Sequence, residues 1–239
     1  MALTINWARF GAVLFDLDGV VTPTAEIHKL AWAQLFEPWG FTDDDYLAYV
    51  DGRPRYDGVA TFLASRGVTL PRGQPSDAPG DESVCALGNR KDDMFMQALD
   101  RKGIDPYPGT MAVIAELERA GVGMAIVSSS RNARSVLAAA DLTHRFPVII
   151  DGVVAADEDL AGKPDPAMFL AAASHLDVDP ARCVVVEDAS SGAAAGAAGG
   201  FDLVVGIDRG GNRTALLDAG ADVVVDDLDE TVTALGVPA

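Results

Sequence analysis

The sequence predicts an α/β protein: a doubly wound parallel sheet with a helical cap domain inserted after its first strand. Three observations carry that prediction. From Gly109 onward, short apolar runs rich in β-branched residues alternate with Ala-rich helical stretches, the pattern of strands joined by helical crossovers. One further apolar run, residues 11–15, stands near the chain start, and no convincing strand lies between it and Gly109. Four of the predicted strands end in polar or charged residues, at the end where open α/β sheets bind ligands.

The elements follow in order. Strands are expected over residues 11–15, 121–127, 147–150, 183–186, Leu203–Ile207 and 222–225. Helices are expected over 110–120, 132–140, 165–175, 191–199 and 213–219. The Ala/Gly bias of residues 193–198 suits a helix packed closely on the sheet. Between the first two strands, Thr24–Phe36 reads as a helix with Glu26 in its first turn, where a carboxylate suits the dipole. Residues 56–66 and 82–101 read as helices too, and the Pro- and Gly-rich stretch 66–80 as a loop. The expected division is therefore a core of residues 1–22 and 106–239 and a cap of 23–105, hinged at 21–23 and 105–108. The acidic runs Asp43–Asp45 and Asp226-Asp227 read as solvated loop charges.

Composition narrows the function. At 239 residues the chain can bury a sizeable core or carry a large insertion. Its net charge of −18 argues against nucleic acid, whose binding requires a basic face. It argues equally against an anionic membrane surface. Phosphate substrates stay open, because a metal and a few local cations can reverse the potential in one cleft. Cys85 and Cys183 are too few for a disulfide framework. With no basic segment leading into an apolar one at the N-terminus and no long apolar run, cytoplasmic residence is expected. The sequence leaves open a monomer or a small homo-oligomer.

The strand ends carry the chemistry. Asp16-Leu17-Asp18-Gly19 follows the apolar run Ala12-Val13-Leu14-Phe15. Two carboxylates so close at a buried strand end resist joint ionisation unless a cation or hydrogen-bond donors compensate them. Mg²⁺, which takes oxygen ligands, would do so. One carboxylate is then placed to attack a phosphoryl group while the other moves the alcohol proton. The bland alternative is an Asx-type turn closing a strand. Downstream, Ser128-Ser129-Ser130 ends the second strand, where hydroxyls and free amides can bind phosphate oxygens or simply cap the next helix. Lys163 lies in Gly162-Lys163-Pro164-Asp165-Pro166, at the end of a connection rather than on an exposed helix face. Glu187-Asp188 ends a β-branched run and suits a metal site or a solvated loop start.

This ordered set, Asp16-x-Asp18-Gly19, Ser128, Lys163-Pro164 and Glu187-Asp188-x-x-x-Gly192, resembles the haloacid dehalogenase superfamily. Asp18-Gly19-Val20-Val21-x-x-Thr24-Ala25-Glu26-x-His28-x-x-Ala31-Trp32 resembles its β-phosphoglucomutase branch, as does Ser128-x-Ser130-Arg131-Asn132. The resemblance runs from about Phe10 to about Val225. Pro23, Ala189 and Arg131 depart from it, in place of a frequent acid, serine and lysine. Ala189 removes a hydroxyl that would tune the metal site.

The resemblance implies a Rossmann-like core under a helical cap, and a role for each residue. Asp16 is the nucleophile and Asp18 the general acid and base. Mg²⁺ is held by Asp16, the backbone carbonyl of Asp18, Glu187 and Asp188. Ser128, Ser130, Asn132 and Lys163 bind phosphate. In the cap, His28 couples closure to the second aspartate, Trp32 shares its helix face, and Lys91 resembles a cap lysine of the branch. Asp51-Gly52-Arg53-Pro54-Arg55 places two guanidinium groups at a helix start, against the dipole, which a phosphate-binding fork would explain. The Gly-x-x-Arg spacing makes Arg55 the closer match, with Arg53 the alternative. The implied substrate is a sugar phosphate. The implied reaction converts β-glucose 1-phosphate to glucose 6-phosphate through glucose 1,6-bisphosphate. A phosphatase of the same fold is the alternative. A non-enzymatic receiver domain fits less well, given the cap and the second aspartate.

Overall fold

The computed structural model describes residues 4–51 and 53–232. Gly52, from the Gly-x-x-Arg spacing, lies outside them. Strand β1 (Ala12–Phe15) is buried at all four positions. Val13 and Phe15 join one hydrophobic cluster, while Ala12 and Leu14 join another. A strand covered on both faces needs apolar residues throughout, so this run does not alternate with polar ones. The other strands are β2 (Gly123–Val127), β3 (Val148–Ile150), β4 (Cys183–Glu187), β5 (Leu203–Ile207) and β6 (Val223–Val225). Together they form a parallel sheet in the order β3-β2-β1-β4-β5-β6. From β1 the chain winds outward to β2 and β3, then returns to β4 on the other side.

Helices fill the connections. Between β1 and β2 come α1 (Thr24–Phe36), α2 (Asp43–Asp45), a π-helical turn (Tyr46–Val50), α3 (Arg55–Ser65) and α4 (Val84–Lys102). The core helices are α5 (Pro108–Ala120), α6 (Ala133–Ala139), α7 (Gly152–Asp157), α8 (Ala167–His175), α9 (Ser190–Ala198) and α10 (Arg213–Asp218). The cap helices bury their own aromatic cluster, in which Phe36 and Phe62 lie 4.2 Å apart between ring centroids. Ile27 and Ala31 of α1, with Phe95 and Leu99 of α4, instead join the cluster that holds Val13 and Phe15. The two chain crossings between cap and core lie side by side. The Tyr107 N–H donates to Val21 O at 3.0 Å, and the Thr110 hydroxyl to Val20 O at 2.6 Å.

Local chemistry moves several boundaries. Helix α5 starts at Pro108, whose missing N–H costs nothing at a first helical position, and ends at Gly121 in the left-handed region. Helix α7 has no counterpart among the sequence expectations. It starts because the Asp151 carboxylate accepts from the N–H groups of Val153 and Val154, both at 2.9 Å. The Asp43–Asp45 run is a helical turn rather than a loop: Asp43 and Asp44 are exposed, as expected, but Asp45 is buried. The turn forms a capping box in which Asp45 accepts from the Thr42 N–H at 2.8 Å and also pairs with Arg66 at 2.5 Å. Asp227 likewise caps a 3₁₀ turn and pairs with Arg209 at 2.9 Å.

Candidate active site

The sheet order reverses between β1 and β4, and the carboxyl ends of those strands carry Asp16 and Glu187. Pairing with β4 continues one residue past β1, since the Asp16 N–H donates to Val186 O at 2.9 Å. The chain then turns through Gly19, at φ +93°. A Cβ on Gly19 would lie 1.8 Å from Asp188 Oδ2, and one on Gly192 would lie 1.7 Å from Glu187 Oε1. Both glycines are therefore needed for space, and each leaves room for a carboxylate.

Lys163 ties this floor together. Its ammonium donates to Asp16 Oδ1 and Glu187 Oε1, each at 2.5 Å, and to Val127 O at 2.9 Å. The other Glu187 oxygen accepts from the N–H groups of Asp188 and Ala189, both at 3.0 Å. Burial works against the Lys163 charge, but Asp16 and Glu187 outweigh it and hold the ammonium above the ordinary lysine range. Burial also pushes Asp16 well up; Lys163 opposes that, while Glu187 and Asp18 add to it. Asp188 is raised by burial first and then by Asp16 and Glu187. Carboxylate oxygens of Asp16, Glu187 and Asp188 approach within 4.8 Å of one another. One ammonium does not balance three carboxylates. This set of hard oxygen donors, short of positive charge, fits a divalent cation such as Mg²⁺.

Asp18 has a different environment. It accepts from the Thr24 hydroxyl, faces His28 Nε2 at 3.3 Å, and meets Ser128 Oγ at 3.5 Å. Burial opposes its charge, but His28 and then the Thr24 hydroxyl outweigh it and hold the carboxyl at about 2. His28 stacks on Phe95 with ring centroids 4.0 Å apart, and its Nδ1 meets the Lys91 ammonium. Burial, then Lys91, lower its pKa. These partners select the tautomer that accepts at Nδ1 and donates from Nε2. Burial lowers Lys91 to about 7 against the pull of Asp18 and Asp92. Its ammonium lies 5.0 Å from the ring centroids of both Trp32 and Phe95.

One cavity gathers most of the expected residues: Asp16, Asp18, His28, Trp32, Arg55, Lys91, Ser128, Ser130, Glu187 and Asp188. Lys163 supports its floor. Trp32 packs within the cap and also faces the site: it is buried, stacks on Phe36 at 5.3 Å, and still lines the cavity. Asn132 enters indirectly, its amide donating to Asp92 Oδ1 at 2.5 Å. Arg55 pairs with the other Asp92 oxygen at 2.6 Å. Arg53 and Arg131 line the same cavity. Sequence reasoning gave no role to Tyr46, Asp51, Asp92 or the Thr24 hydroxyl. The spacing of Thr24 and His28, four apart on α1, was the available signal for that hydroxyl. Burial, then Glu187, raise Asp51 to about 6, against a hydrogen bond from Tyr46.

A pair of carboxylates at the end of β1, one buried and one half-buried, and an acidic cluster at a sheet switch point suit phosphoryl-transfer chemistry. The haloacid dehalogenase-like hydrolase family model matches residues 10–200. β-Phosphoglucomutase of Mycobacterium bovis is 44% identical over 236 residues, covering 92% of this chain and 90% of that protein. Hexitol phosphatase A of Escherichia coli is 28% identical over 82% of each chain. A solved β-phosphoglucomutase from Clostridium difficile superposes with a TM-score of 0.77 at 24% identity, covering 92% of both chains. This chain belongs to the haloacid dehalogenase-like hydrolase family, in its β-phosphoglucomutase-like branch. It is an enzyme of the phosphoryl-transfer kind, an isomerase or a hydrolase. Among the described residues, no helix is long and apolar enough to cross a membrane.

Proposed function

We propose that the chain is a Mg²⁺-dependent phosphosugar mutase that converts β-glucose 1-phosphate to glucose 6-phosphate through enzyme-bound glucose 1,6-bisphosphate. The observation that carries this reading is a second set of cations in the same cavity. Lys163 is committed to Asp16 and Glu187, yet Arg53, Arg55 and Arg131 also line the cavity. A phosphatase needs one anion site; a mutase that turns a bisphosphate end for end needs two. The similarity to mycobacterial β-phosphoglucomutase supports the choice of sugar.

In this reading Asp16 attacks phosphorus and becomes an aspartyl phosphate. Asp18, ionised at rest, takes the proton from the incoming hydroxyl and returns it to the leaving oxygen, with Thr24 and His28 holding its carboxylate. Ser128, Ser130 and Lys163 receive the phosphate beside Asp16, and Arg55 and Asn132 the distal one. Mg²⁺ would be held by Asp16, Glu187, Asp188 and the Asp18 carbonyl, and supplies charge that offsets repulsion between Asp16 and the phosphate. Residues 23–105 act as a cap that closes over a core of 1–22 and 106–239, excluding water.

The test measures phosphate release and glucose 6-phosphate formation on one sample of β-glucose 1-phosphate, with glucose 1,6-bisphosphate present. Glucose 6-phosphate is expected to form faster than phosphate is released, to stop with chelator, and to resume with Mg²⁺. Faster phosphate release makes the protein a phosphatase.

A further inference from the structure

Asp92 joins the cap to the core across the cavity, and no step above uses it. It lies on α4 of the cap, Arg55 opens α3 of the cap, and Asn132 is the N-cap residue of α6 in the core. Each carboxylate oxygen has its own partner: Oδ2 meets Arg55 Nη1 at 2.6 Å, and Oδ1 accepts from Asn132 Nδ2 at 2.5 Å. A guanidinium offers five N–H donors and an amide two, so each partner spends only part of its capacity on Asp92. Arg55 Nε and Nη1 are both buried without a hydrogen-bond partner, Nη1 facing Asp92 as an ion pair. A buried donor left unpaired is costly unless a ligand satisfies it.

We propose that Asp92 is a positioning residue that clips the cap to the core and aims Arg55 and Asn132 together at the distal phosphate. The inference rests on the reading of Arg55 and Asn132 given above. Its chemistry is specific to a carboxylate. Asn132 and Arg55 both present donors, so the residue between them must accept on both sides. An amide at position 92 accepts on one side only and sets N–H against N–H on the other. The distal site is thus complete only when α4 has brought Asp92 to Asn132, which makes cap closure a condition of phosphate recognition.

The test uses the full-length Mg²⁺-loaded enzyme with β-glucose 1-phosphate and with acetyl phosphate, which has no second anchoring group. Losing a charge-assisted hydrogen bond weakens binding about tenfold to a hundredfold. Asp92→Asn is therefore expected to raise KM for β-glucose 1-phosphate by that factor more than KM for acetyl phosphate, with a smaller effect on kcat. Adding Asp92→Asn to Asn132→Ala should then give little further loss. In the ligand-free protein, Asp92→Asn should speed hydrogen exchange of the backbone amides at residues 130–133, and Asn132→Asp added to it should slow that exchange again. The swapped pair restores a donor facing an acceptor. Equal shifts in both KM values, additive losses with Asn132→Ala, or tighter binding of β-glucose 1-phosphate would each overturn the inference. If wild-type enzyme makes only phosphate, the mutase reading fails, while hydrogen exchange at residues 130–133 in the ligand-free protein still reports on the Asp92 clip.

Discussion

The charges at the floor of the cavity and those in its cap are built on different terms. On the floor, the Lys163 and Glu187 side chains are each 1% exposed and lie between strand ends. Each floor charge depends on the others, because a buried ion left without its partner costs far more than the pair contributes. In the cap, Arg55 is 16% exposed and Asp92 28% exposed, at helix starts and on a helix face reached by solvent. Asp92 keeps access to water there, so losing one partner costs less than it does on the floor. The floor should therefore fail as a unit, and the cap one function at a time.

The largest expected effect is on chemistry at the floor. Asp16→Asn removes the nucleophile but keeps the shape, so turnover should fall by about a thousandfold or more, with no phosphoenzyme trapped by acid quench. Near-normal turnover in this variant would remove the covalent mechanism. Lys163→Met tests interdependence directly. It strands Asp16 and Glu187 together without their shared ammonium and should destabilise the ligand-free fold by about 3–5 kcal/mol in denaturant titration. Mg²⁺ should recover part of that loss by binding the same carboxylates. Wild-type stability without Mg²⁺ would mean that the three groups do not act as a unit.

The cap should respond by selectivity. Arg55→Ala is expected to reduce conversion of β-glucose 1-phosphate about a hundredfold more than hydrolysis of acetyl phosphate, the worth of a charge-assisted contact to phosphate. Urea midpoints should move little. A matched loss on both substrates would place Arg55 in the general scaffold, and a selective loss confined to Arg53→Ala would move the distal anchor to its neighbour.

The same contrast explains what the sequence made legible. Floor residues sit at the ends of apolar runs, where burial leaves few reasons for a charge, so Asp16, Asp18 and Glu187-Asp188 stood out. Strands β1 to β6 were readable for the same reason, within a residue or two. The cap gave weaker signals because its functional groups stand among other charges. Asp92 follows Asn89-Arg90-Lys91 and precedes Asp93, and nothing in that run distinguishes a bridging carboxylate from a solvated one. Tyr46 and Asp51 bracket a π-helical turn, whose spacing matches neither a helical nor a strand period. Helix α7 depends on one Asp151 cap over a six-residue segment too short to show periodicity.

The smallest expected effect tests whether the cap keeps its own stability apart from the floor. Asp45 caps α2 and pairs with Arg66, which packs over Phe62 at 4.7 Å within the cap's aromatic cluster. The Arg66 hydrogen bond holds the Asp45 carboxyl below its ordinary value. A carboxyl depressed in the folded state adds stability above its unfolded value and loses it as pH falls through the folded one. Asp45→Asn should therefore lower the melting temperature slightly at neutral pH, and the gap to wild type should close as pH drops below about 4, the unfolded aspartate value. KM for acetyl phosphate should stay at the wild-type value, because Asp45 touches neither the cavity nor the hinge. A gap that persists at low pH would mean that Asp45 acts through packing rather than charge. A shifted KM would mean that cap stability and floor chemistry are coupled after all.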